Sequence, residues 1–364
     1  MKINFNQLDR AYKKYKSEYD SAVLEVLESG WYILGQKLER FEKEFSDFLG
    51  SKYCVGLNSG LDALILAFRA LGIKEGDEVI VPANTYIASI LGITENGARP
   101  IFIEPDEYNN IDVTKIEEQI NSNTKAILVV HLYGQSANMR IIKDLADRYN
   151  LFLVEDCAQS HGAKFDDVIT GTWGDIGCFS FYPTKNIGAF GDAGAIVTNN
   201  SDLYEKVSML RNYGSKQKYH NEILGVNSRL DEIQAALLSV KLSHYSELRK
   251  ERESIAQYYL EHIDNPLVEL PRIRNGAEHV WHLFVIKSKE RDRLQEYLTE
   301  NQIGTGIHYP IPPHLSEAYC YLNHNVGDFP ITETFAYHSL SLPLYEGMTK
   351  NEIDYVIEII NKFK

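Results

Sequence analysis

The sequence predicts an α/β protein, with a mostly parallel sheet in a large domain and a small α+β domain after it. Two observations lead there. From about residue 50 to 200, short runs that are apolar throughout alternate with helical patterns, and after Ser239 the chain turns polar and helical. Strands without a polar face belong to sheets covered on both sides, as parallel strands joined by helices are. Tyr53 to Leu57 is the first strand, and Leu61 to Phe68 is the helix that follows it. Glu78 to Val81, Arg99 to Ile103, Ala126 to Val130 and Leu151 to Glu155 read as the next buried strands, with Ile141 to Arg148 as the amphipathic helix before the last of them. A long polar helix, about Leu242 to Glu261, reads as a bridge, so the expected domains are residues 1–245 and 246–364. Beyond it Trp281 to Ile286 is strand-like, and Arg291 to Asn301 and Asn351 to Phe363 are helical. In such a sheet the ligand lies beyond the carboxyl ends of the strands, so the loops there are the place to look for chemistry.

Composition removes several classes of function. The 364 residues are 44% hydrophobic, enough for two cores, and 51 acidic against 37 basic residues give a net charge of -14. That surface repels a nucleic-acid backbone, although a helix N-terminus can still hold an anionic small molecule. Met1-Lys-Ile-Asn-Phe does not read as a signal peptide, and no apolar run approaches the ~20 residues of a membrane helix, so no membrane partner is expected. Cys54, Cys157, Cys178 and Cys320 are scattered without a CxxC pair, the usage of a reducing cytoplasm rather than of a disulfide framework or a zinc site. No GxGxxG follows the first strand, which removes a nicotinamide-dinucleotide enzyme.

Three polar clusters fall at strand ends. Asn58-Ser59-Gly60 leaves a strand and opens a helix, where free N–H groups and the helix dipole favour an anion. An ordinary serine cap is the commoner role of such a loop. In Val154-Glu-Asp156-Cys-Ala-Gln159-Ser-His161 the strand runs into a carboxylate that is costly to bury alone. Asp156 could be a helix cap, a metal ligand or the partner of a cationic nitrogen. Metal is disfavoured because no His, Cys and carboxylate set stands around it at ligand spacing. Gln159 shares its face if a helix begins there, and His161 reads as a core histidine. The third cluster, Phe179-Ser180-Phe-Tyr182-Pro-Thr-Lys185-Asn, sets a lysine among aromatic and glycine residues. Burial there lowers its pKa and makes it a nucleophile for carbonyls, with Ser180 placed to meet the same ligand. Pyridoxal phosphate (PLP) needs a lysine for its aldehyde, a carboxylate for its ring nitrogen and a helix start for its phosphate. Lys185, Asp156 and Ser59-Gly60 supply all three, and Tyr86, after a strand, could stack on the ring.

With Ser29 to Gly35, Glu155 to Gly162, Arg211 to Gly214 and Gly225 to Leu230 added, the chain resembles the DegT/StrS-type nucleotide-sugar aminotransferases of PLP fold type I along essentially its whole length. The resemblance implies a mixed sheet and a homodimer with shared active sites. It places Asp156 on the pyridine nitrogen, Gln159 and Tyr86 against the ring, and Gly60, Leu61 and Ser180 at the phosphate. Asn227 and Arg229 are placed at the intersubunit site, Asn227 reaching the phosphate from the partner. Many members have threonine where this chain has Leu61, so only its backbone N–H could serve. Dehydratase relatives replace the lysine by histidine, and Lys185 therefore favours transamination.

The segment Gly306-Ile-His308-Tyr309-Pro resembles members acting at C3 of dTDP-linked 3-keto-6-deoxyhexoses. His308, Tyr309 and Tyr182 are then substrate contacts, and Lys216, Lys218 and Tyr219 belong to a basic stretch that could hold the pyrophosphate. The implied reaction is ping-pong. L-glutamate gives its amino group, pyridoxamine phosphate carries it, and the product is a dTDP-3-amino-3,6-dideoxyhexose for an antibiotic or a surface glycan. A C4-specific aminotransferase, a PLP-dependent dehydratase and a PLP-binding sensor are the alternatives. No metal is expected.

Overall fold

The computed structural model describes residues 1–217 and 219–364. Seven strands build its main sheet: β1 (Tyr53–Leu57), β2 (Glu78–Pro82), β3 (Arg99–Ile103), β4 (Thr124–Val130), β5 (Phe152–Asp156), β6 (Ile176–Ser180) and β7 (Gly194–Thr198). Their order is β1-β7-β6-β5-β4-β2-β3, and all neighbours are parallel except where β7 meets β1 and β6. The sheet is therefore mixed, through one reversed strand.

Alternate side chains of each strand enter opposite cores. Val55, Leu57, Ala126, Leu128, Val154 and Ile196 join one, with helix Gly60–Leu71 over them. Cys54, Ala195 and Val197 enter a second, and Ile127, Val129 and Leu153 a third, on the other face. Burial on both faces is why the middles of these strands are apolar on both sides, while Arg99 and Lys125, nearer the strand starts, are exposed.

A separate core gathers Ile255, Phe284, Leu294, Leu340, Val356 and Ile360, around the antiparallel pair β8 (Phe284–Lys287) and β9 (Ser339–Leu342). Ile3 is buried in this C-terminal core and bridges to Ile303, so the first residues of the chain pack with the last third.

Two expectations are corrected. The helix expected from about Leu242 to Glu261 is present as Tyr245–His262. It starts three residues later because Leu242 belongs to the end of a separate helix, Glu232–Ser243, and the two meet at His244, where φ is -101° and ψ is 0°. The strand expected from Trp281 begins at Phe284. The Arg252 guanidinium takes the carbonyls of Trp281 (2.9 Å) and His282 (2.7 Å), so that stretch has no free carbonyls for a ladder. Among the described residues, no helix is long and apolar enough to cross a membrane.

Candidate active site

The reversed strand brings three chain segments to one edge. Gly194 pairs with both Leu57 of β1 and Ser180 of β6, so the loop after β1, the end of β6 and the start of β7 meet. Both contacts need glycine. A Cβ on Gly60 would fall 2.5 Å from the Cβ of Ser180, and one on Gly194 would fall 2.2 Å from the carbonyl oxygen of Ser59. Ser59 caps helix Gly60–Leu71 by accepting from the Asp62 N–H at 3.1 Å. The serine cap and the helix start expected to bind an anion are thus one feature, and Ser59, Gly60 and Leu61 line a cavity.

That cavity, of about 480 Å³, is lined by Ser59, Gly60, Leu61, Tyr86, Asp156, Gln159, Ser180, Tyr182, Lys185, His282, His308 and Tyr309. Asp156 is 6% exposed at the end of β5. Its Oδ2 accepts from Ser89 Oγ at 2.8 Å, and its Oδ1 from the Ala158 N–H at 3.1 Å. No helix begins here. The carboxylate closes a turn on its own strand end, and Gln159 reaches the site from that turn rather than from a helix face. Burial raises the Asp156 pKa, opposed by these two donors and by the charge of Lys185. Burial lowers Lys185 to about 8, opposed by Asp156.

Gln159 bridges floor and roof. Its Oε1 accepts from the Tyr133 N–H at 2.6 Å, and its Nε2 donates to the Tyr309 hydroxyl at 3.0 Å. Tyr309 in turn lies against Tyr86, ring centroids 4.9 Å apart. His308 bonds Ser341 Oγ through Nδ1 at 2.8 Å, and its carbonyl accepts from the Tyr133 hydroxyl. Burial and the charge of Lys185 lower His308 to about 4 and His161 to about 3, and His282 falls well below the ordinary value for the same reasons. All three are neutral at pH 7, which leaves Lys185 as the base that titrates near neutrality. His161, between Phe179 and Phe181, is a core histidine.

A pH profile follows from the lysine. Capture of added PLP by the apoprotein needs the neutral amine, so its rate should climb ~tenfold per pH unit and level off near pH 8. An ordinary lysine would keep climbing towards about 10.4. Stopped-flow absorbance across pH 6–10 checks it.

Behind Asp156 the fold gathers a set hidden in the sequence: His131, Glu155 and Cys157, their ligand atoms all within 4.8 Å of one another. The first two are already committed. Glu155 accepts from the N–H groups of Gly171, Trp173 and Gly174 at 2.8–2.9 Å and from His131 Nε2 at 3.0 Å, while His131 Nδ1 accepts from the Ala137 N–H. This is a structural latch on the strand that carries Asp156. Glu155→Gln should lower stability by about 3 kcal/mol, read as a shifted denaturant midpoint, because one amide oxygen cannot replace the carboxylate.

Other sequence candidates lie elsewhere. Asn227 is exposed, and Arg229 donates to Asn212 Oδ1 at 3.2 Å and lies over the Tyr213 ring, with its buried Nε unpartnered. Lys216 pairs with Glu205 at 2.9 Å on a hairpin, and Tyr219 on the same hairpin is 86% exposed. None lines the cavity of its own chain. Lys218 lies outside the described residues. Sequence reasoning missed Ser89, Thr85 and His282. Thr85 Oγ1 sits 2.7 Å from Ser89 Oγ, and since that hydroxyl donates to Asp156, Thr85 donates to it.

A model of the DegT/DnrJ/EryC1/StrS aminotransferase family matches residues 13–361. The chain belongs to this family. Among relatives, it is 52% identical over 362 residues, 99% of each chain, to a dTDP-3-amino-3,6-dideoxy-alpha-D-galactopyranose transaminase of Aneurinibacillus thermoaerophilus. It is 44% identical over 364 residues, all of this chain and 96% of the other, to a dTDP-3-amino-3,4,6-trideoxy-alpha-D-glucose transaminase of Streptomyces venezuelae. Among solved structures, S. venezuelae DesV in complex with a ketimine intermediate superposes with a TM-score of 0.97 at 44% identity, covering 99% of this chain and 98% of that one. The DegT-family chain is thus an aminotransferase of the PLP fold, and PLP is its cofactor. The residues fit the group. A buried carboxylate without a cationic hydrogen-bond partner, a helix start kept open by two glycines and a lysine of lowered pKa line one cavity.

Proposed function

We propose that this chain transfers an amino group from L-glutamate to C3 of a dTDP-3-keto-6-deoxyhexose, giving a dTDP-3-amino-3,6-dideoxyhexose. The observation that carries it is the meeting of Lys185 and Asp156 in one cavity, facing the Ser59–Gly60 helix start. The sugar is supported by the two named relatives, both of which make 3-amino sugars.

Bound PLP supplies an electron sink for the carbon that gains or loses the amino group. Lys185 anchors it through Nζ. Once free of the cofactor, the Lys185 amine would take the α-proton of glutamate and, in the second half-reaction, would give a proton to the sugar carbon. The Asp156 carboxylate holds the proton on the ring nitrogen. The N–H groups of Gly60 and Leu61, with Ser59 and Ser180, take the phosphate, while Tyr86 and Gln159 confine the ring. His308, Tyr309 and Tyr182 meet the hexose. Asn227 and Arg229 would serve the active site of a partner copy, a role consistent with their lying outside their own cavity, and Lys216 and Tyr219 would hold the pyrophosphate of the substrate. The working unit in this reading is a homodimer.

We further propose a division at residue 245, supported by the separate C-terminal core, and a cytoplasmic location, supported by four unpaired cysteines. An antibiotic or surface glycan would be the destination of the sugar.

The test is incubation of the protein, PLP and L-glutamate with the dTDP-3-keto sugar, with the dTDP-4-keto sugar and with a UDP-linked 3-keto sugar. Formation of 2-oxoglutarate beyond one equivalent per enzyme with the first alone is the expected result, since the single equivalent from glutamate and PLP is common to all three. Formation with the second alone would move the chemistry to C4. A deoxygenated product without 2-oxoglutarate beyond that equivalent would make the enzyme a dehydratase.

A further inference from the structure

The segment Val280-Trp281-His282 crosses beneath the cavity and is fixed from several sides. The Val280 N–H donates to the Gly134 carbonyl at 2.9 Å, and Arg252 holds the carbonyls of Trp281 and His282. The His282 side chain, 6% exposed, lines the same cavity as Lys185. Its Nδ1 stands 3.0 Å from Asn186 Oδ1.

The protonation of this ring follows from its neighbours. Asn186 Nδ2 donates to the Val280 carbonyl at 2.8 Å, and a carbonyl can only accept. The Asn186 amide is thereby oriented with its oxygen towards His282, so Nδ1 must carry the proton. Burial and the nearby charges of Lys185 and Arg252 keep the imidazole neutral. A neutral imidazole has one N–H, so Nε2 presents a lone pair, and it has no hydrogen-bond partner among the described residues. The Lys185 ammonium likewise makes no hydrogen bond among them. One cavity therefore holds an unfilled donor and an unfilled acceptor. Asn186, which fixes the acceptor, is the residue next to the donor in the chain.

We propose that His282 Nε2 accepts a hydrogen bond from the Lys185 amine whenever that amine is free of the cofactor, and so aims its lone pair during proton transfer. The inference rests on Lys185 being the cofactor lysine, as proposed above. A neutral acceptor suits the task. It restrains a flexible side chain without adding a negative charge that would raise the amine's pKa and retain its proton. His282 is on this reading a positioning residue.

The experiment compares His282→Leu and His282→Gln in the PLP-loaded enzyme, using L-glutamate with hydrogen or deuterium at the α-carbon. The leucine variant should keep the absorbance of lysine-bound PLP and its sugar KM. Its kcat should fall roughly 10²-fold, as when a proton-transfer arrangement is lost. Its α-deuterium effect should grow, because proton transfer becomes the slow step, and loss of packing alone would not move that readout. Glutamine, whose oxygen can stand where Nε2 was, should restore kcat to within about tenfold of the parent. Should the leucine variant fail to fold, His282→Phe carries the same comparison. Parental kcat and isotope effect in the apolar variant, or a glutamine variant as slow as the apolar one, would overturn the proposal. Failure of the underlying assignment looks different: the lysine-bound absorbance would then survive in Lys185→Ala.

Discussion

Lys185→Ala should lower kcat by roughly 10⁴-fold or more, because in the proposed reaction one amine carries both the attachment of PLP and the movement of the proton. Both roles depend on the same physical fact. Burial makes the charged form unfavourable, and the pKa falls to about 8, so at neutral pH part of the population is already a base. His161, His282 and His308 cannot substitute, since each is held neutral and far from titrating at pH 7. The variant should still bind PLP, since the helix start and Asp156 remain, but without the absorbance of lysine-bound cofactor. Added methylamine should recover some turnover if the proton is the greater loss. A variant with unchanged absorbance and turnover would remove Lys185 from the chemistry altogether.

Asp156→Asn should lower kcat by roughly 10²- to 10³-fold, the size of effect seen when one preorganised electrostatic contact at a reacting centre is removed. The shapes of the two side chains match and the Ala158 N–H can still donate to the amide oxygen, while the Ser89 hydroxyl must turn to accept from the new NH2 group, so the fold should hold at a modest cost in stability. What disappears is the negative charge. In the apoprotein that charge is disfavoured relative to the unfolded chain, because burial raises the Asp156 pKa, opposed by its two donors and by the charge of Lys185. Its contribution to stability is therefore lost as pH rises through the raised value. A protonated ring nitrogen beside it reverses the balance and keeps the carboxylate ionised. PLP should accordingly protect the parent enzyme against heat more strongly than it protects Asp156→Asn, a difference that melting curves with and without cofactor measure directly. Equal protection in both would detach Asp156 from the ring nitrogen.

Much of this site was legible because its residues combine unusual chemistry with unusual position. A carboxylate ending an apolar strand and a lysine inside an aromatic, glycine-rich bend each raise a question in one dimension that a single ligand answers. Ser89 and His282 raise no such question. Serine on a helix and histidine beside a strand are ordinary, and their meaning lies in contacts spanning 67 and 96 positions. At Asp156 a helix cap is one of the open readings of the sequence; the carboxylate does accept the Ala158 N–H as a cap would, but the chain goes on as turns and no helix follows. The strand expected from Trp281 was shortened by an arginine 29 positions away. Periodicity reports the environment of a segment but not which distant group claims its backbone.

The loop bearing His308 and Tyr309 is tied twice to the loops that follow β4 and β5, by the Tyr133 hydroxyl on the His308 carbonyl and by Gln159 on the Tyr309 hydroxyl. It is consequently not a portable module. Transplanting it alone between relatives would leave its anchors behind, and the smallest exchangeable unit is discontinuous: residues 306–310 together with Tyr133 and Gln159, three stretches of chain that must be exchanged together.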